Sequence, residues 1–275
     1  GQYIALMANT LSASGQQTEL QQLYVSKIAE IQQAQISPAD KTDRVALMRR
    51  GLIPVLVREN KFREALDQYI EIINKFPDDE TVLAEAARLA SQRGLQAQLV
   101  GYYTRTMQTS PRDPRWAIVL ARVQTQYENY PAAIDAYTTA MAARPERQDL
   151  AVARGDLEER TVRFADAIVT FNRVYELSHK SPIWLERIAK LQGRLGRTTE
   201  AVATLRRAYI DNRPEGSRDY QRVAVMLEEF GMIDAAADII RQQPLNGPTG
   251  APLPASAYAR IMTRAHRNDE AVQRV

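Results

Sequence analysis

A 34-residue period governs this chain. Pro77, Pro111 and Pro145 follow one another at that interval. Twelve residues before each stand Ala65, Leu99 and Ala133, and the same step continues to Ala167 and Ala201. Four residues further on come Tyr69, Tyr103, Tyr137, Phe171 and Leu205, and three beyond those Ile72, Thr106, Ala140, Val174 and Ala208. Positions i, i+4 and i+7 share one face of a helix. A small residue there lets a second helix approach, and the large residue one turn later fills the space beside it. After Ala201 the register slips by one residue and resumes at Ala236, Ile240 and Pro248.

A second amphipathic segment precedes each of these helices, carrying Trp116, Leu120, Val123 and Tyr127 in one period and Trp184, Ile188, Leu191 and Leu195 in another. The breaks between the two segments, at Glu59-Asn60, Arg93-Gly94, Asn129 and Gly196, are too brief for anything but an antiparallel turn. Pro114 and Pro182 fall at helix starts, where a missing N–H costs nothing. Each period is therefore a helical hairpin. One hairpin cannot bury its apolar face alone, so neighbours must stack. The expected fold class is all-α.

The pattern resembles the tetratricopeptide repeat in its 34-residue period, its small-x3-aromatic-x2-small second helix and its terminal proline. The third unit matches best, with Trp116, Leu120 and Ala121 followed by Ala133, Tyr137, Ala140 and Pro145. The resemblance spans roughly residues 40 to 275 and implies a right-handed α-solenoid of stacked hairpins. The repeats are expected at 38–79, 80–113, 114–147, 148–181, 182–215 and 216–249, with a truncated seventh at 250–275. Residues 1–37 read as a degenerate hairpin or cap, and Ser37-Pro38-Ala39-Asp40 as the capped start of the next helix. Departures are expected to loosen single hairpins: Leu99 and Thr106 in place of small residues, Arg154 in place of an apolar one, His179 in place of proline. Pro54, next to Gly51, is expected to kink its helix. Gln243 to Pro254, with its four prolines, reads as the one substantial loop.

Composition narrows the chemistry. The 275 residues include no cysteine, which removes disulfides, thiolate metal sites and a cysteine nucleophile together. His179 and His266, the two histidines, have no metal-ligand partner one helical turn away. No phosphate-cradling glycine loop follows a strand, and no hydroxyl nucleophile has an adjacent base. The expectation is a protein that is not an enzyme and uses no cofactor and no metal. No stretch approaches the ~18 apolar residues of a spanning helix, so no membrane span is expected. The chain opens on Gly1 and stops at Val275 inside a helical pattern, as a piece of a longer, arginine- and alanine-rich bacterial protein would. The compartment stays open between cytoplasm and cell envelope.

What remains is the surface. The resemblance implies a concave groove lined by first-helix positions that here hold Arg50, Arg58, Arg88, Gln92, Arg122, Gln126, Asp156, Glu159, Arg160, Glu186, Lys190 and Arg194. Arg88, Arg122 and Lys190 lie a whole number of periods apart and form a basic ladder interrupted by Asp156. Such a ladder suits an acidic peptide, because a guanidinium fork holds a carboxylate bidentately. Asp156 and Glu159 share a face and read best as part of a salt-bridged surface. Trp116 and Trp184, two periods apart, read as core. The expected function is a protein–protein interaction scaffold holding an extended or helical segment of a partner. The alternatives are a helical-repeat RNA-binding protein, disfavoured by a net charge of only +3, and the docking arm of a larger multidomain enzyme. Apolar residues left without a following helix at the end (Ala271, Val272, Val275) also point to self-association.

Overall fold

The computed structural model describes residues 2–242 and 255–273; the expected loop at Gln243–Pro254 lies outside the described residues, as does Val275. Among the described residues there are sixteen α-helices and no strand. The chain divides into two compact units, Gly1–Ala143 and Arg144–Val275.

In the first unit the helices pair in chain order as four hairpins. These are α1 (Gln2–Ala13) with α2 (Gln17–Gln33) and α3 (Pro38–Arg58) with α4 (Phe62–Ile73). Then come α5 (Glu80–Arg93) with α6 (Gln96–Thr109) and α7 (Pro114–Gln126) with α8 (Tyr130–Ala143). The second unit repeats the scheme with α9 (Gln148–Arg160) and α10 (Phe164–Leu177), then α11 (Pro182–Arg194) and α12 (Thr198–Arg206). It continues with α13 (Tyr220–Glu229) and α14 (Ile233–Arg241), and α15 (Ala255–Arg264) and α16 (Asn268–Gln273).

Side-chain caps start several first helices. The Ser37 hydroxyl accepts from the Asp40 backbone N–H at 3.1 Å, and Asp79 and Asp219 do the same for Val82 at 3.0 Å and Arg222 at 2.8 Å. Pro38, Pro114 and Pro182 open their helices, where no backbone donor is needed. Pro54 sits inside α3, which runs on as one helix to Arg58; its ring leaves the Arg50 carbonyl without the usual i+4 donor.

One device closes all eight hairpins. The turn residue is Gly15, Asn60, Gly94, Glu128, Val162, Gly196, Gly231 or His266, each with positive φ between 56° and 80°. The next backbone N–H then reaches back five residues to a carbonyl of the finished helix, as Leu95 does to Ala90 at 2.8 Å and Arg163 to Glu158 at 2.8 Å. This left-handed stop satisfies carbonyls that the helix end would strand. Glycine takes that conformation freely. Val162 does not, because a branched Cβ crowds the backbone there.

The repeated small and large residues form the interior of both units. Ala65, Leu99, Ala133, Ala167 and Ala201 are each 0% exposed, and so are Tyr103, Phe171 and Leu205 four positions later. Burying one such large side chain contributes about 1.5–3 kcal/mol. Both tryptophans stack on those aromatics, Trp116 on Tyr103 with centroids 6.4 Å apart and Trp184 on Phe171 at 5.8 Å. Each joins one hairpin to the next and is half-buried, packed against the core and not within it. The slip after Ala201 falls where α12 widens into a π-helical turn at Arg207–Asp211, a form that holds an extra residue per turn.

Candidate partner-binding face

All twelve positions singled out from the sequence lie on first helices of hairpins: α3, α5 and α7 in the first unit, α9 and α11 in the second. Their side chains differ sharply in what they touch.

In the first unit Arg50 pairs with Asp79 at 2.5 Å and Arg58 donates to the Ser12 hydroxyl at 3.1 Å. Arg122 turns back onto the start of the preceding hairpin, reaching the Pro77 carbonyl and the Asp78 carboxylate at 3.2 Å each. It clamps the corner between α4 and α5. Arg88, on α5, is exposed and has no carboxylate within 4.0 Å among the described residues. Gln92 and Gln126 are exposed beside it in sequence register.

In the second unit the acidic positions are already engaged. Arg187, at the centre of α11, donates to Glu159 through Nε at 2.8 Å and sits 2.7 Å from both Asp156 and Glu159 through its terminal nitrogen. Its guanidinium lies 4.2 Å above the Phe171 ring, which adds an attraction to the ring face. That ring occupies the space left by Gly155, where a Cβ would come within 2.5 Å of it. Arg194 approaches Glu159 at 3.7 Å and covers the Phe164 ring. Glu186 accepts from Arg222 at 2.7 Å and from the Tyr209 hydroxyl. Burial and that carboxylate push the Tyr209 phenol up to about 12. Glu228, 6% exposed on α13, takes Arg260 at 2.8 Å and Arg264 at 2.7 Å from α15. Successive first helices are thus stitched by an arginine on the later helix and a carboxylate on the earlier one. Lys190 is exposed on α11 and has no carboxylate within 4.0 Å among the described residues.

Arg187, Arg222, Arg260 and Arg264 were not among the residues singled out. Their partners lie some thirty residues away in sequence, and helix-face arguments within one segment pair Asp156 and Glu159 with Arg160 and Arg163 instead. Arg163 bonds Asp166 at 2.8 Å. Sequence reasoning also missed the buried polar row at Gln124, Glu158 and Gln192, 34 residues apart and 8%, 0% and 8% exposed. Glu158 accepts from Thr170 at 2.6 Å and from Arg154 at 2.9 Å, and Gln192 from Thr204 at 2.9 Å. Arg154, read as a departure, is the counter-charge of a buried carboxylate.

His179 and His266 are exposed residues with left-handed backbone, the first between hairpins and the second at a hairpin turn. Among the described residues no group of three metal-ligating side chains converges, and no helix is long and apolar enough to cross a membrane.

Residues 118–182 match the sequence profile of the tetratricopeptide repeat. No curated protein matches the chain. Among solved structures, MamA is 15% identical, with 59% of this chain and 89% of that chain aligned at a TM-score of 0.38. A tetratricopeptide repeat protein from Parabacteroides merdae ATCC 43184 is 14% identical over 95% of this chain and 97% of its own, at 0.35. The Naa15/Naa10 structure bound to HypK-THB aligns over 82% of this chain and 35% of that one, with 15% identity and a TM-score of 0.49. The likeness to that repeat rests on the profile match and on the 34-residue period of the hairpins around it. By both, residues 118–182 are similar to the tetratricopeptide repeat, within a chain built of like helical hairpins.

Proposed function

We propose that this protein is a non-enzymatic interaction scaffold whose first helices hold an extended or helical segment of a partner protein. Residues 1–37 act as the cap of an array running through 38–275. The observation that carries the reading is the contrast among the charged first-helix residues. Arg50, Arg122, Asp156, Glu159, Glu186 and Arg194 all have charged partners within their own unit, whereas Arg88 and Lys190 are exposed without a carboxylate within 4.0 Å among the described residues. Unspent cations on a first-helix face suit an acidic segment. Val272, 78% exposed on α16, supports self-association at the C-terminal hairpin as a second use of the surface.

A nuclease-treated pull-down comparing wild type with Arg88→Glu and, separately, Lys190→Glu tests the reading. Neither residue holds a neighbour, so both variants should fold as wild type does. Loss of a protein partner with either one supports the acidic-segment reading. Recovery that disappears from all three baits on nuclease treatment contradicts it and favours RNA.

A further inference from the structure

The helix α3 is 21 residues long and its hairpin partner α4 only 12, so the first turns of α3 project beyond the end of α4. A cleft of about 220 Å³ opens beside this overhang in the first unit, between the end of α2, the start of α3 and the last turn of α4. Val45 and the buried Ala46 and Ile72 give it apolar walls. Its charged residues are Lys41, Arg49, Lys75 and Glu71. Three cations against one carboxylate leave two positive charges in a small recess, where low-dielectric walls concentrate their field.

These cations are unequally occupied. The Arg49 side chain is 15% exposed and spends its fork internally, on Gln68 and, at 3.3 Å, on the half-exposed Glu71. Lys41 donates to the Gln32 carbonyl at the end of α2, at 2.8 Å. An ammonium carries three donors, so two of its three remain. Lys75 is exposed, and neither lysine has a carboxylate within 4.0 Å among the described residues. The free donors are therefore those of two ammonium groups. A planar carboxylate is gripped best by a guanidinium fork, and here the fork is taken. Ammonium groups act as point charges and suit a group with several oxygens, and a phosphoryl monoester carries about −1.5 to −2 charge at neutral pH, which matches the excess.

We propose that this cleft binds the phosphoryl group of a phosphate monoester, with Lys41 and Lys75 donating to its oxygens and Arg49 adding to the field. The proposal uses neither Arg88 nor Lys190, so its failure leaves the scaffold reading untouched. A phosphorylated side chain of a polypeptide and a free small ester present the same group, and the test separates them.

Isothermal titration calorimetry on the whole chain uses four probes: phenyl phosphate, a phosphoserine peptide, the same peptide unphosphorylated, and succinate. The expected result is saturable binding of a phosphorylated probe that Lys41→Gln and Lys75→Gln each weaken about tenfold or more, the loss of one hydrogen bond to a charged group. Arg88→Glu should leave it unchanged. Lys75 holds no neighbour, so Lys75→Gln carries the test should Lys41→Gln, which frees the α2 carbonyl, disturb the fold. Tighter binding of the phosphopeptide than of phenyl phosphate identifies a modified side chain as the source; comparable or weaker binding identifies a small ester. The site is overturned if neither phosphorylated probe binds saturably at millimolar concentration, or if both lysine variants bind as tightly as wild type. Succinate bound more tightly than phenyl phosphate, or the unphosphorylated peptide bound as tightly as its phosphorylated twin, would overturn the phosphoryl assignment.

Discussion

Tyr103 shows how a repeat position can carry a chemical flaw. Its ring is fully buried, edge-on to Tyr102 and stacked on Trp116, but its hydroxyl has no hydrogen-bond partner. One period pair later the same position holds Phe171, which avoids the problem. Tyr103→Phe should therefore raise stability by about 1 kcal/mol, read as an increase in Tm, because the buried unsatisfied group is removed at constant shape. A fall of similar size would show that the hydroxyl is paired. The tyrosines also set the alkaline limit. Burial, the leading cause in each, pushes Tyr69, Tyr127 and Tyr209 up to about 12 from the ordinary 10.0. A phenol whose folded pKa is raised contributes stability that is intact below pH 10.0 and falls as pH climbs toward 12, since the unfolded chain then releases protons that the folded one retains. Urea midpoints should be flat up to about pH 9.5 and drop steeply between 10 and 12. Flat midpoints through pH 12 would show these phenols to be ordinary.

The hairpin is the element at which sequence and structure agree best. Small-aromatic spacing and interhelical prolines placed the second helices because both signals act within one helix or at its end. Turn chemistry was legible at Asn60, Gly94 and Gly196, where the residue itself tolerates positive φ. It was silent at Val162, which carries the same conformation at φ 62° only because the flanking helices impose it. Val162→Gly should stabilise the hairpin of α9 and α10 by about 0.5–1 kcal/mol, the left-handed penalty of roughly 1–2 kcal/mol less the entropy glycine loses on folding. Gly196→Val should cost a comparable amount. Matched thermal melts of the two variants check the pair; equal melts would mean the turns relax. Charge partners across hairpins were the least legible feature. Arg187 meets Asp156 and Glu159 only because α9 and α11 lie side by side, a fact set by stacking and not by any local pattern.

Over the whole chain, 36 basic residues nearly balance 33 acidic ones, and the stitching between first helices shows where much of that balance is spent. Little charge is left for partners, so attraction to an acidic segment should weaken only modestly with salt. Raising ionic strength from 0.05 to 0.2 M should cost a protein partner less than about tenfold in affinity, against roughly a thousandfold or more for a protein making six or more phosphate contacts. The series of hairpins was legible because its 34-residue period recurs from Ala65 to Ala201, whereas the binding chemistry was not, since a charged first-helix residue looks the same in sequence whether it is exposed or tied to its neighbour. The central claim is that first helices carry the partner. A photo-crosslinking amino acid placed at Gln92 on α5, or at exposed Val169 on the second helix α10, tests it most directly. Crosslinking of the partner from position 92 and not from 169 is the predicted result. Crosslinking from 169 alone would contradict it.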